Sequence, residues 1–368
     1  VLRNPASVAV GKGSYSIYLV HWPLYVFFLA YTYRTPLPFE QAGLVVMSIG
    51  LGWAQYRFIE ERFRHERFPG AWSRPAYGLG CALLAIAMLV PAATTWASDG
   101  AKWRIPQERV MKSNAEWRDE ERKVYCLNTN KEIPRKLFPC QNFRGKDKDI
   151  VLWGDSHSLH LIAGFSERFK DHNVYVSFMD GCVPYSGFDG FVRPLASADD
   201  TQKCIDRNRK TLDFISSHPV DMLVITSAKR GTPDEVSGPI NSLMDAASGV
   251  RAYFLADFIR PGTEMIDCVQ VPNYIVSDAA ITRRCKGDPR ISERELRYNV
   301  ELAGFIKSFV PVNGIQCPDG CRFFDGATPL FRDTHHLTIP GSIKFVKDID
   351  FDRMSPTDTR ISAGAVGG

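Results

Sequence analysis

Apolar residues crowd into the first hundred positions of this chain, and that asymmetry limits the folds open to it. Residues 77–96, YGLGCALLAIAMLVPAATTW, carry no charge and end in Trp96, a residue type that anchors at a membrane interface. Two earlier stretches also reach the roughly 20 mostly apolar residues that a bilayer-spanning helix needs. They are 14–33, SYSIYLVHWPLYVFFLAYTY, and 39–58, FEQAGLVVMSIGLGWAQYRF, the second with small residues suited to close helix packing. Arg57, at the end of the second stretch, and Arg62, Arg64, Arg67 and Arg74 after it lead into the third, whereas the first connection has only Arg34. The positive-inside rule then puts the arginine-rich loop in the cytoplasm and residues after about 97 on the far side of the membrane.

The expected organisation is a membrane part at 1–97, a polar linker or extension at 98–148, an α/β domain at 149–350 and a flexible tail at 351–368. The chain starts with Val, and no cleavable leader precedes the first apolar run, so it reads as the later part of a longer membrane protein. A formal net charge of +4, with no basic stripe interleaved with aromatics, argues against nucleic acid as a partner. His21 lies inside the first stretch. An ionisable group at membrane depth faces a cavity or the bundle interior; alternatively Pro23 breaks the helix and His21 satisfies a freed carbonyl.

Cysteine usage fits that topology. Of nine cysteines, Cys81 lies in the third stretch and the other eight follow Trp96. These eight form sequential couples: Cys126 and Cys140, Cys182 and Cys204, Cys268 and Cys285, Cys317 and Cys321. An even set on the exported side implies disulfides in an oxidising compartment, neighbour pairing being the simplest arrangement, although sequence does not settle connectivity. No couple has C-x-x-C spacing and no histidine clusters with them, so no metal site is expected.

From residue 149 strands alternate with helices. DIVLW, NVYVSFM, DMLVITS and RAYFLADF read as buried strands, ISERELRYNVELAGFIKSFV as a long helix, and CRFFDG as a final short strand. Such alternation implies a parallel sheet with helices on both faces, whose ligands bind at the carboxyl ends of the strands. In DIVLWGDSHSLH, Ser156 falls at such an end, at the start of a helix whose N–H groups can hold an oxyanion. Equally, Ser156 or Asp155 can be an N-cap. RDTHHLTIPG supplies the partners a nucleophilic serine needs: His336 as general base and Asp333, three residues earlier, to fix its tautomer. Asp155, His157 and His335 stand beside these three in the chain.

GDSH with DTHH, followed by Leu-Thr and a glycine, resembles the SGNH hydrolase-like family. That resemblance implies Ser156 as nucleophile, His336 as base, Asp333 as its orienter, and the backbone N–H groups of Ser156 and Gly181 (in MDGCVPY) as oxyanion donors. The family's asparagine donor after the third strand is missing, since this chain has ITSAKRG there. Lys229 or Arg230 could substitute by charge, or face solvent, which is the expectation. SYSIYLVHWPLYVF followed by FIEERFRH resembles the last core helices of the acyltransferase-3 family of membrane acyltransferases, with Arg62 where many members have proline. An added span and an exported SGNH domain follow in the subclass that acetylates bacterial surface polysaccharides such as lipopolysaccharide O-antigen.

The order here is the same. The resemblance therefore implies an inner-membrane O-acyltransferase, its SGNH domain in the periplasm and its acceptor a polysaccharide or lipid-linked glycan. Acetyl-CoA would be the acyl donor to the membrane module, with no bound cofactor. A membrane-tethered carbohydrate esterase, or a polysaccharide-binding domain with a vestigial site, are the alternatives.

Overall fold

In the computed structural model, residues 4–61, 74–98, 100–106, 112–272, 274–277, 280–281, 284–326 and 328–351 are described. Arg62, Arg64 and Arg67 of the arginine-rich loop, and 352–368 of the expected tail, lie outside them. The chain divides into two units: Val1–Val110 with Gln270–Arg284, and Met111–Val269 with Cys285–Gly368.

The first unit contains three long helices, α1 (Pro5–Thr32), α2 (Pro38–Gln55) and α3 (Arg74–Ala97). Asn4 caps α1 by accepting the Ser7 N–H, and Pro5 sits where a missing N–H costs nothing. Helices α1 and α2 approach so closely that a Cβ on Gly52 would meet Ile17 Cα at 2.5 Å. Small residues permit this contact, as the sequence suggests. Among the described residues one helical segment, Gly78–Ala97, is long and apolar enough to cross a membrane, with mean hydropathy 1.9. Polar and glycine residues dilute the other two below that level. Helix α1 runs through Pro23 unbroken, so the alternative in which the proline breaks the helix does not hold. His21 Nδ1 lies 2.7 Å from the Tyr18 carbonyl oxygen, and the side chain is exposed on the helix surface.

The second unit is built on a six-stranded sheet in the order β1-β3-β2-β4-β5-β6. Its strands are β1 (Cys140–Asn142), β2 (Lys148–Gly154), β3 (His172–Phe178), β4 (Met222–Thr226), β5 (Ala252–Leu255) and β6 (Phe309–Val310). All neighbours are parallel except β1, which runs antiparallel to β3. The sheet is thus mixed rather than purely parallel. Every residue of β4 and β5 is buried, so both faces of the sheet are covered.

The helices that matter to the site are α4 (Asn114–Tyr125), α5 (Ser156–Leu159), α6 (Ile162–Arg168), α7 (Ala198–Ser217), α8 (Pro233–Ala246), α9 (Pro289–Ala303) and α10 (Ile339–Asp348).

Three sequence expectations are corrected here. The long helix expected to Val310 ends at Ala303, and its last residues become β6. CRFFDG does not join the main sheet: Phe324–Asp325 pairs with Thr328–Pro329 in a separate two-stranded ribbon. Part of the stretch read as linker supplies α4 and β1 to this unit, with Glu121 and Tyr125 buried. All four disulfides join sequence neighbours, Cys126–Cys140, Cys182–Cys204, Cys268–Cys285 and Cys317–Cys321. Cys81 is free.

Candidate active site

Strand β2 lies between β3 and β4, so the chain leaves it first to one side and later to the other. The crevice at its carboxyl end is the topological switch point where doubly wound sheets bind ligands. Gly154 ends β2 there, paired with Phe178 and Thr226. A Cβ on Gly154 would stand 2.1 Å from the Thr226 carbonyl oxygen, so only glycine lets the strand turn into α5 at this point.

Both N-cap readings of the GDS turn are answered by Asp155. Its carboxylate accepts the His157 N–H at 2.9 Å and, across the crevice, the Ala228 N–H at 3.1 Å. Capping by Asp155 frees Ser156, the first residue of α5, from that task. Ser156 Oγ lies 2.9 Å from His336 Nε2, and His336 Nδ1 lies 2.7 Å from Asp333 Oδ2. With Nδ1 protonated and donating to Asp333, Nε2 accepts the serine hydroxyl. Residues 180 positions apart thereby form one hydrogen-bonded chain at the sheet edge.

The loop that carries Asp333 and His336 is held from several sides. Asp333 Oδ1 accepts the N–H groups of His335 and His336 at 2.9 and 2.6 Å. Asn114, at the start of α4, donates to Asp333 Oδ2 at 2.8 Å. The neighbouring Arg332 is buried and paired with buried Glu121 of α4 at 2.9 Å. Helix α4 also reaches the other side of the crevice, where Arg118 meets Asp180 at 3.2 Å. Gly181 follows, with φ +74°, a backbone conformation that favours glycine, and the Cys182–Cys204 disulfide ties its loop to α7.

Electrostatics suit a base and its orienter. Burial raises the Asp333 carboxyl, but the hydrogen bond and charge of His336 and the two loop N–H groups outweigh it and hold the group well below the usual carboxylate range. Burial lowers His336 below an ordinary imidazole even though Asp333 pulls the other way, which favours the neutral ring that accepts a proton. Burial and the adjacent His336 depress His335 to about 4.

A second dyad, not foreseen from sequence, lies behind the first. His157 Nδ1 is 2.7 Å from Asp257 Oδ1, with both side chains buried. Asp257 also accepts the Lys229 N–H at 3.2 Å and pairs with Arg260 at 3.0 Å. Lys229 corrects an expectation: its ammonium does not face solvent but is buried 2.7 Å from Glu295 of α9. It is thus committed to that network and does not replace the missing asparagine. Four imidazoles gather here: the His157 ring centroid is 5.0 Å from that of His160, 5.5 Å from His335 and 5.1 Å from His336.

The fold and the hydrogen-bonded order Ser156–His336–Asp333 define a class, an α/β domain whose switch point brings a serine, a histidine and an aspartate together. The chain belongs to the family described as SGNH domain (fused to AT3 domains), whose model matches residues 125–350. No curated protein matches it. Among solved structures it is similar to the periplasmic domain of the lipopolysaccharide acetyltransferase of Salmonella ser. Paratyphi A. Identity there is 20%, the TM-score is 0.43, and the match covers 63% of this chain and 92% of the other.

Proposed function

We propose that this chain belongs to a membrane O-acyltransferase that acetylates a bacterial cell-surface polysaccharide, such as lipopolysaccharide O-antigen, through a Ser156 acyl-enzyme. The observation that carries the reading is the hydrogen-bonded order Asp333–His336–Ser156 at the switch point of an SGNH domain of the AT3-fused family.

In this reading His336 Nε2 takes the Ser156 proton as Oγ attacks the acyl carbonyl. The tetrahedral oxyanion is met by the backbone N–H of Ser156, which has no intrahelical acceptor, and by that of Gly181. Collapse expels the donor's leaving group, which takes the proton from His336. A sugar hydroxyl then gives its proton to His336 and attacks the acyl-serine, and Ser156 Oγ leaves with that proton, which restores the resting pair. Asp333 holds the ring and offsets its charge at each transfer. Acetyl-CoA is the acyl source proposed for the membrane module, with α1–α3 as membrane spans and residues after about 97 in the periplasm.

The test uses a chromogenic acetyl ester and the full chain in detergent, as parent and as Ser156→Ala. Turnover in the parent that disappears in the variant supports the nucleophile. Absence of both turnover and labelling by a serine-reactive probe removes the acyl-enzyme. In cells, loss of glycan acetylation with Ser156→Ala supports transfer. Unchanged acetylation instead favours a binding domain, and turnover of preacetylated glycan alone an esterase.

A further inference from the structure

We propose that His157, His335 and His336 form a binding site for a divalent transition ion of the zinc or copper class, and that an ion held there blocks Ser156. A ring nitrogen of each of the three lies within 4.8 Å of the others. Two independent features point to a ligand rather than to a packed aromatic cluster.

The first is the orphaned atom. His157 is buried, its Nδ1 is committed to Asp257, and its Nε2 is buried with no hydrogen-bond partner among the described residues. A buried polar atom without a partner costs about 1–3 kcal/mol, so something should compensate it. The second is the way each ring is backed. Metal-ligating histidines almost always donate their other N–H to a carboxylate or another oxygen, which fixes the tautomer and raises basicity. Asp257 backs His157 at 2.7 Å, Asp333 backs His336 at 2.7 Å, and Thr334 Oγ1 lies 2.8 Å from His335 Nδ1. Each residue thus has Nε2 as the atom to offer.

Access and geometry are compatible. The His335 side chain is 39% exposed and opens the cluster to solvent. Tetrahedral zinc with Zn–N of about 2.0–2.1 Å sets its ligand atoms roughly 3.3 Å apart. The cluster has to close by up to about 1.5 Å, to which the half-buried His335 can contribute. Imidazole ligands suit zinc and copper rather than magnesium or calcium.

Binding is independent of the acyl-transfer reading, whereas the block on turnover rests on it. An ion on His336 Nε2 occupies the lone pair that would accept the Ser156 proton, so the loaded protein has no base.

The test titrates zinc sulfate into chelator-stripped full chain in detergent by calorimetry, in a Cys81→Ser background so that the free thiol cannot contribute. The expected result is one ion per chain, with affinity weakened at least tenfold by His335→Ala and by His157→Gln but not by His218→Ala, a surface control. Absence of binding, or equal affinity in both cluster variants and the parent, overturns the site. Bound zinc that leaves ester turnover intact overturns the block. A chain that binds zinc but turns over no ester overturns the acyl-transfer reading and leaves the site standing.

Discussion

Replacing Glu121 by alanine tests how far the segment before the sheet supports the loop that carries Asp333 and His336. Glu121 and Arg332 are 0% and 1% exposed and 2.9 Å apart. Their attraction over that distance is roughly 6 kcal/mol at an effective dielectric of 20. Desolvation costs several kcal/mol for each ion, so the pair contributes little net stability. Two further observations agree: burial raises the Glu121 carboxyl despite Arg332, and Glu121 Oε1 and Arg332 Nε have no hydrogen-bond partner among the described residues. Breaking the pair is another matter, because Glu121→Ala strands a buried guanidinium at a cost of about 3–5 kcal/mol. For a domain of this size each kcal/mol shifts the melting temperature by about 2–4 °C, so the expected loss is on the order of 10 °C. The double variant Glu121→Leu/Arg332→Met removes both charges and should recover most of that loss. Thermal unfolding of the full chain in detergent, followed by fluorescence of buried Trp153, reads both values. A single variant that melts within 2 °C of the parent would refute the reasoning, as would a double variant less stable than the single.

Other outcomes follow from the same geometry. His336 is depressed and must be neutral to act, so ester turnover should persist below pH 6.5 and fall only as the ring protonates, whereas an inflection above 6.5 contradicts the burial argument. Asp333→Asn leaves the loop bonds partly in place but loses the charge that steadies His336, and kcat should drop by about 10⁴ in a single-turnover ester assay. Asp257 is held well below the ordinary carboxylate range because His157 and Lys229 outweigh its burial. Its contribution to stability is therefore present above pH ~4 and lost as pH falls through its folded value, so Asp257→Asn should flatten the acid limb of the unfolding midpoint against pH. Removing the Cys126–Cys140 bridge, whose ends are 14 residues apart, should cost about 3 kcal/mol in denaturant unfolding.

The placement of Ser156, Asp333 and His336 was legible because each rests on a local signal. An apolar strand, a Gly-Asp turn and a D-x-x-H loop are all readable within ten residues. What stayed hidden depends on contacts between distant residues. Asp257 follows the apolar run AYFLA, a visible position for an acid, but nothing local ties it to His157, 100 residues away. Lys229 reads as a surface residue until Glu295 is seen against it. Cys-Gln-Asn carries no strand propensity and becomes β1 only by pairing with β3. Phe309–Val310 is too short to interrupt a helical period, and Asn114 offered no signal at all.

The antiparallel strand β1 has a consequence for how this sheet meets other polypeptides. An open edge offers unpaired N–H and C=O groups to any passing strand, and short edges blunt that risk. Here the two edges are three and two residues long. Beneath β1 lies β3, seven residues with Val174, Tyr175 and Val176 in succession, a good template for strand addition. A chain trimmed to begin at residue 148 would keep Ser156, His336 and Asp333 yet bare that template, and should self-associate through it. The three residues of β1, pinned at Cys140 by a disulfide, thus act as a guard strand that keeps copies of the domain from stitching together edge to edge.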